Sequence, residues 1–450
     1  MVNTLYLPEL RQMIADNRGE ELREFCSALH PVRTAEFMEG LSSEESWQVL
    51  RHADEHERPE VFRHFRSDKQ VEILETEDRA EIAGLVALIA HDERVDLLEL
   101  IDEQAVEELL QLLPAEERRD ILRLQAFPDE TAGAIMTSDV AKLDEALSVD
   151  RALQELGRQA EELETIYYLY VVDANDHLRG VVSARQLVSA MVHPQATLGS
   201  LMEADLVTVG AMEDQETVAQ KVARFDLLAI PVVDEERRLL GIITHDDVID
   251  VMRDEATEDV QRIAAVNPLQ ESYLRIPLVT LSWKRGVWLI ILFFAALLTA
   301  FALDSYHGLI SHPNATWLVV FIPLVISSGG NTGSQSSTLI ITGLATNDIQ
   351  LSDWPRVVRR EFAMGIMLGA VLGTFGYLTA LILAPTPTAA LIVPITLVLV
   401  IICGTVSGSL LPLLFQRLGL DPAMMSNPFV AGIVDILGIL IYMNVAQMLL

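Results

Sequence analysis

Asp435 stands inside the apolar run 429–450. A carboxylate there costs several kcal/mol unless it meets water, a cation or a partner. Two roles suit it: an ion site, or a protonated acid that bonds a neighbouring helix or relays protons. Asn427, Ser426 and Pro428 tilt the reading toward an ion path. On a helix, Asn427 and Asp435 project from roughly one face, about 12 Å apart along the axis. Mg²⁺ suits such a lining, because it sheds water reluctantly and is usually met by one or two carboxylates plus waters. No Cys or His accompanies Asp435, which argues against a site for soft metals. Neutral carbonyls and amides discriminate little among hydrated ions, so Co²⁺, Mn²⁺ and Ni²⁺ stay open as cargo.

A second polar feature is 327–337, SSGGNTGSQSS, between the apolar runs 317–326 and 339–341. It predicts a membrane helix broken in the middle, since irregular backbone at that depth survives only beside protein or a water-filled cavity. Asn331 and Gln335 are costly in lipid, and we read the segment as pore support, with Asn331 a candidate for ion contact. The alternative is that Gly329, Gly330 and Gly333 only let helices approach closely. That alternative accounts better for Gly365, Gly369 and Gly373.

The third feature is the acidic run 245–260, HDDVIDVMRDEATEDV. Asp247, Asp250, Asp254 and Glu258 fall at helical spacings, with Asp246, Glu255 and Asp259 alongside. Like charges so placed weaken a helix. Such a run is commonly just a solvated face, but this one lies directly ahead of the first membrane segment, where an ion sensor would act on a pore.

The elements that carry these residues follow from charge and hydropathy. Residues 281–450 hold six basic and six acidic residues, so the whole formal charge of −33 belongs to 1–280. An acidic soluble half argues against nucleic acid and anionic lipid surfaces and suits cations. Five apolar segments follow, at 287–303, 317–344, 362–383, 389–415 and 429–450, each near the length a spanning helix needs. With five crossings, Lys284, Arg285, Arg356, Arg359, Arg360 and Arg417 all fall on the side of the soluble half. The positive-inside rule makes that side the cytoplasm and puts the C-terminus outside. The N-terminal residues lack the apolar core of a signal peptide. Cys26 and Cys403 lie in different halves and are not expected to pair.

Within the soluble half, 1–125 shows apolar residues at helical spacing (Val95, Leu97, Leu98, Ile101), which predicts helices, and the loose likeness of the units 31–50 and 91–122 points to an all-α helical solenoid. Residues 167–191 and 229–252 repeat a β-β-α pattern. This α/β pair resembles tandem CBS motifs, regulatory modules that often bind adenine nucleotides or pair with a second copy. The second copy keeps the signature Gly241, Thr244, Asp247; the first has Gly180 and Ser183 but Gln186 at the acidic position. In nucleotide-binding members that carboxylate holds the ribose hydroxyls. Tyr170, Thr244 and Asp247 are therefore the candidate nucleotide residues, with a structural pair as the alternative.

The order of parts resembles the MgtE family of magnesium transporters and channels: an acidic helical domain (1–130), a CBS pair (131–250), a linking helix (251–280) and a five-helix membrane domain (281–450). The motifs that carry the resemblance are 127–137 (FPDETAGAIMT), Pro323 with 329–336 (GGNTGSQS), and Asp421, Pro422, Ala423, Ser426, Asn427, Pro428, Phe429, Asp435, Gly438 and Tyr442. One departure is Ala431-Gly432, where many members carry a hydroxyl pair. The resemblance implies a homodimer in a bacterial inner membrane, with a pore along its axis lined by Asp435, Asn427, Ala431 and Asn331. It also implies passive Mg²⁺ entry, closed when cytosolic Mg²⁺ bridges Asp92, Asp96, Asp214, Glu216, Asp226, Asp247, Asp250, Glu255, Glu258, Asp259, Glu361 and Asp421. ATP is a further expected ligand. A membrane-anchored ion or nucleotide sensor that transports nothing, and a carrier of another divalent cation, are the competing readings. An enzyme is not expected, because the chain has no P-loop, no nucleophile setting and no zinc-ligand spacing.

Overall fold

The computed structural model describes residues 5–160, 163–269, 273 and 276–450, apart from the side chain of Asp92. It divides into two compact units, Met1–Met252 and Arg253–Leu450.

From Leu7 to Leu124 the first unit is a string of short helices. None is long enough to stand alone in water. Each buries one apolar face against its neighbours, and Trp47, Leu50, Phe62, Ile73 and Leu85 are fully enclosed. Local chemistry sets the boundaries. Ser42 and Glu45 form a reciprocal capping box, and Asp78 caps the helix Arg79–Val86. The helical solenoid expected from the sequence is the fold found.

The CBS pair follows as two three-stranded sheets, ordered β1-β2-β3 and β4-β5-β6. They comprise β1 (Val140–Asp144), β2 (Thr165–Val172), β3 (Leu178–Ser183), β4 (Val209–Gly210), β5 (Ala229–Val233) and β6 (Leu239–Thr244). The first strand of each sheet runs parallel to the second, and the second antiparallel to the third. Each copy is therefore longer than the β-β-α pattern suggested, with an extra strand and a helix (Val149–Gln159 or Gln215–Phe225) ahead of it. Gly180 and Gly241 occupy equivalent places. At each, a Cβ would run into a neighbouring carbonyl, that of Glu203 or of Thr137.

The helix after β6 runs from His245 to Ile263. The linking helix expected over 251–280 is thus helical only as far as Ile263. Ala265 takes a left-handed conformation (φ 59°), with Val266 N–H bonded to Gln261 O and Ala265 N–H to Arg262 O, both at 2.9 Å. This pair of bonds is a Schellman stop, and Pro268 cannot rejoin the helix. Residues 270–272, 274 and 275 of that expected helix lie outside the described residues.

Among the described residues, five helices are long and apolar enough to cross a membrane: Leu278–Asp304, Thr316–Ala345 (which opens with a 3₁₀ turn), Leu351–Leu383, Pro387–Arg417 and Asn427–Leu449. The fourth is the hub. Gly365 and Gly369 of the third helix lie against Ile402 and Val398, where a Cβ would come within 2.8 Å of each Cα. On its other side, a Cβ at Gly404 would come within 2.7 Å of Gly329 O in the second helix. Tyr442 of the fifth helix is fully buried and donates to Leu318 O at 2.9 Å. The first helix has no buried residue within its most apolar stretch and packs along the fifth.

The expected break in the second helix is absent: Ile322–Ala345 is one continuous α-helix. Its backbone groups are satisfied internally, which is what lipid demands. Some of its hydroxyls turn back onto the same helix, with Thr332 donating to Ser328 O and Gly329 O and Thr338 to Ser334 O, while those of Ser334, Ser336 and Ser337 donate to Asn427 O, Glu361 Oε2 and Met425 O. Gly329 and Gly333 serve close packing against the fourth and fifth helices.

Candidate functional site

The fifth helix carries Asp435 where it faces the second. A Cβ placed on Gly330 would lie 3.4 Å from Asp435 Oδ1 and 3.3 Å from the Ala431 methyl. The glycine leaves room for the carboxylate. Asp435 is half-buried and forms no hydrogen bond or ion pair with any described residue. On the second helix, Ser327, Asn331 and Gln335 are exposed and follow one another at four-residue steps. Asn331 Nδ2 donates to Ser327 Oγ at 3.2 Å. This is a polar stripe at membrane depth that a single chain leaves uncovered. Asn427 is engaged differently: its amide bonds Thr338 Oγ1 at 3.0 Å, and its carbonyl accepts from Ser334 at 3.1 Å. It ties the first turn of the fifth helix to the second.

The acidic candidates fall into two groups. In the first unit, Asp96 and Glu93 on the helix His91–Glu99 share a neighbourhood with Glu99, Asp129, Glu164, Asp246 and Asp247. A cavity of about 210 Å³ opens beside Glu93 and Asp96, walled by Phe62, Ile89 and Leu97. Crowding out of water, then the charges of Glu99, Glu93, Asp247 and Asp129, push the Asp96 carboxyl up to about 6. Loss of water, then Asp247, Asp246, Glu93 and Asp139, take Glu164 to about 7. Both side chains keep a solvent-facing side that screens part of this effect, but the direction is that of anions lacking a counter-ion. Asp250 is exposed close by and adds to the charge on Asp247. The Asp92 side chain lies outside the described residues. Asp214 and Asp226 have local tasks: Asp214 caps the helix Gln215–Phe225, and Asp226 ends it in a left-handed turn (φ 51°). Glu216, on the same helix, accepts from Gln220 at 3.2 Å.

The second group lies at the end of the linking helix. Arg262 bonds both Glu258 and Asp421, and Asp421 Oδ1 also caps Ala423 N at 2.7 Å. Burial first, then Asp421 and Glu255, push the Asp259 carboxyl up to about 6. Two carboxylates thus hold the guanidinium of Arg262, and Asp259 lies within the field of Asp421 and Glu255. Glu361 stands apart from this set in its bonding, accepting from Ser336 Oγ at 2.6 Å. Among the described residues no three His, Cys, Asp or Glu converge tightly enough to grip a bare metal ion. The unbalanced charge of both groups fits a cation that keeps its water.

Tyr170 does not fit the nucleotide role expected of it. It is 2 % exposed, enclosed by Val140, Val172, Leu178, Ala229 and Ile242, because strand alternation turns it inward between the two CBS copies. Thr244 and Asp247 bond each other through the threonine hydroxyl and, at 3.1 Å, its N–H. In the first copy, Ser183 and Gln186 form a reciprocal capping box at the equivalent place. Gln186 therefore replaces the acid as a helix cap.

Two features escaped the sequence reading. Arg94, 2 % exposed, sits at an apolar helix position, bonding Glu117 and the carbonyls of Ala87 and Ile89. Beside it His91 bonds Ser138, joining the helical domain to the CBS pair. A basic residue at a core-facing position (His91, Arg94, Val95, Leu98) was the available signal. The other is Arg262, a half-buried cation just past the acidic run 245–260.

The MgtE divalent cation transporter model matches residues 322–445, the MgtE intracellular N domain 29–130, and the CBS domain 132–193 and 198–254. The magnesium transporter MgtE of Thermus thermophilus is 39 % identical over 327 residues, 73 % of this chain and 72 % of that protein. The chain belongs to the MgtE family. Its MgtE relative from Enterococcus faecalis is 38 % identical over 323 residues, 72 % of this chain and 70 % of that protein. Among solved structures, the soluble part of a magnesium transporter superposes with a TM-score of 0.52 at 33 % identity, covering 55 % of this chain and 97 % of that one. The cytosolic domain of the Mg²⁺ channel MgtE in complex with ATP gives 0.50 at 32 % identity, covering 54 % and 98 %. This MgtE member is a multi-pass membrane protein with a helical domain and a CBS pair ahead of its membrane helices.

Proposed function

We propose that the chain is a Mg²⁺-gated channel for passive Mg²⁺ uptake, working as a homodimer in the bacterial inner membrane with its soluble half in the cytoplasm. The observation that carries this reading is Asp435, an unpaired carboxylate in a membrane helix, opened by Gly330 and flanked by the polar stripe Ser327, Asn331, Gln335. A second copy across a water-filled axis gives these groups a place out of lipid and sets two carboxylates before one divalent ion. Exposed apolar residues on the CBS pair (Tyr167, Val188, Met191, Val192, Ile249, Met252) supply a surface for the second copy to cover.

Closure follows from the acidic groups. At low cytosolic Mg²⁺ their repulsion favours separated domains and an open pore. At high Mg²⁺ hydrated ions bridge Asp96, Glu164 and Asp247, and Glu255, Asp259 and Asp421, and favour the closed arrangement. Each weak site adds differential affinity for one state, so several together make closure steep. Transport of Co²⁺, Mn²⁺ or Ni²⁺ remains the second reading, since the membrane lining holds no inner-sphere cage. ATP as a further ligand rests on the neighbour's complex alone, and the enclosed Tyr170 weighs against base stacking at that side chain. No catalytic role is proposed.

The test is rescue of a Mg²⁺-uptake-deficient bacterium. Wild type restores growth at low Mg²⁺, and Asp435→Ala, present in the membrane at equal level, does not. Rescue by the variant removes the pore assignment.

A further inference from the structure

We propose that residues 262–269 act as a strap that delivers the position of the linking helix to the first turn of the fifth membrane helix, with Asn267 and Trp288 as its positioning residues. The inference rests on the chain being a regulated channel.

The strap is attached at both ends of the distance it must cover. At its start Arg262 holds Glu258 on its own helix and Asp421 just ahead of the fifth helix. At its end Asn267 N–H donates to Lys284 O at 3.3 Å, and Asn267 Oδ1 accepts from Trp288 Nε1 at 3.0 Å. Lys284 Nζ donates back to Pro268 O. Leu269 N–H bonds Gln261 Oε1 at 2.7 Å, folding the strap onto the helix it leaves. Loose loops do not exchange bonds in both directions with one membrane helix.

The Trp288 ring then meets Phe429 edge-on, with centroids 6.5 Å apart and planes at 76°. Phe429 is two residues beyond Asn427, whose amide holds Thr338 of the second helix. A contiguous set of contacts therefore runs from the linking helix through Asn267, Trp288 and Phe429 to the pair Asn427–Thr338. Packed side chains and hydrogen bonds of this kind carry coupling when the element they join has two positions. Asn267 also gives the half-buried indole N–H the partner that a tryptophan at a membrane boundary requires. A mere anchor for the first helix would need that bond too, so the experiment must separate anchoring from transmission.

Full-length protein in nanodiscs and in patches serves for both readouts, with Asn267→Leu, Trp288→Phe, the double variant and Asn267→Asp. The phenylalanine keeps the ring against Phe429 and removes only the indole donor. The expected result is that the Mg²⁺ concentration for half closure rises about fivefold in either single variant, the factor equivalent to about 1 kcal/mol, with the open conductance unchanged. The double variant is no worse than the singles, and Asn267→Asp, which still accepts the bond, closes as wild type. In parallel, Mg²⁺ slows hydrogen exchange over 262–269 in wild type and loses that effect in the single variants. An unmoved half-closing concentration, additive singles, or a lower melting temperature without a shift in closure overturns the strap. If wild type itself passes no Mg²⁺ current, the channel reading fails, and the exchange experiment still decides whether Mg²⁺ acts on the strap.

Discussion

Acid is expected to weaken Mg²⁺ binding at the carboxylates around Asp96 and Glu164, and Mg²⁺ binding there is expected to release protons. Asp96 and Glu164 hold their protons up to about 6 and about 7, whereas in an unfolded chain both ionise near 4. A divalent ion requires carboxylates, so it expels whatever protons remain. At pH 6.5 these values leave about one proton on the pair, and at pH 7.5 about a quarter of one. Over that interval the affinity falls about fourfold as the solution is acidified. Stability follows the same linkage. Without Mg²⁺ the folded unit binds these protons more tightly than the unfolded chain does. The pair's contribution is therefore whole below about pH 4 and is lost as the pH climbs through 6 and 7. Added Mg²⁺ restores it. Calorimetric titration of the full-length protein at pH 6.5, in two buffers of different ionisation enthalpy, reads the proton count directly. Wild type should release about one proton more than Asp96→Asn/Glu164→Gln. Equal release by the two proteins refutes the reasoning, because the protons would then come from elsewhere.

Two further predictions concern packing and gating. Gly404→Ala places a Cβ within 2.7 Å of Gly329 O, a backbone atom that cannot step aside. It should cost about 1–3 kcal/mol, seen as a lower melting temperature in detergent, while Gly286→Ala, with open space around it, should leave the melting temperature unchanged. Neutralising Asp247, Asp250 and Glu258 together should leave the pore open at high Mg²⁺ in patch recordings, and normal closure by that variant would remove these residues from the sensor.

The sequence made the five membrane helices legible because each carries a long apolar run, and the CBS pair legible because its two signatures repeat. It misled at 327–337, where glycine, serine and asparagine have poor helix propensity in water. Lipid overrides that propensity, since leaving the helix there exposes backbone groups that have no water to bond. The linking helix was drawn too long because Ala265 gives no hint of a left-handed turn; glycine would have. Asp214 and Asp226 entered the ligand set through the family resemblance alone, which carries no sign of the helix cap and the left-handed turn that they make. Asp435 was legible through cost alone: a charge so placed must have a reason, whichever atoms surround it.

The glycine seams on either side of the fourth membrane helix have a mechanical consequence. Backbone meets backbone at Gly329 and Gly404 on one side and at Gly365 and Gly369 on the other. Helices meshed at that depth cannot slide past one another without atoms colliding. The second, third and fourth helices therefore behave as one beam, to which Tyr442 and Asn427 moor the fifth, so any rearrangement within one chain falls on the first helix.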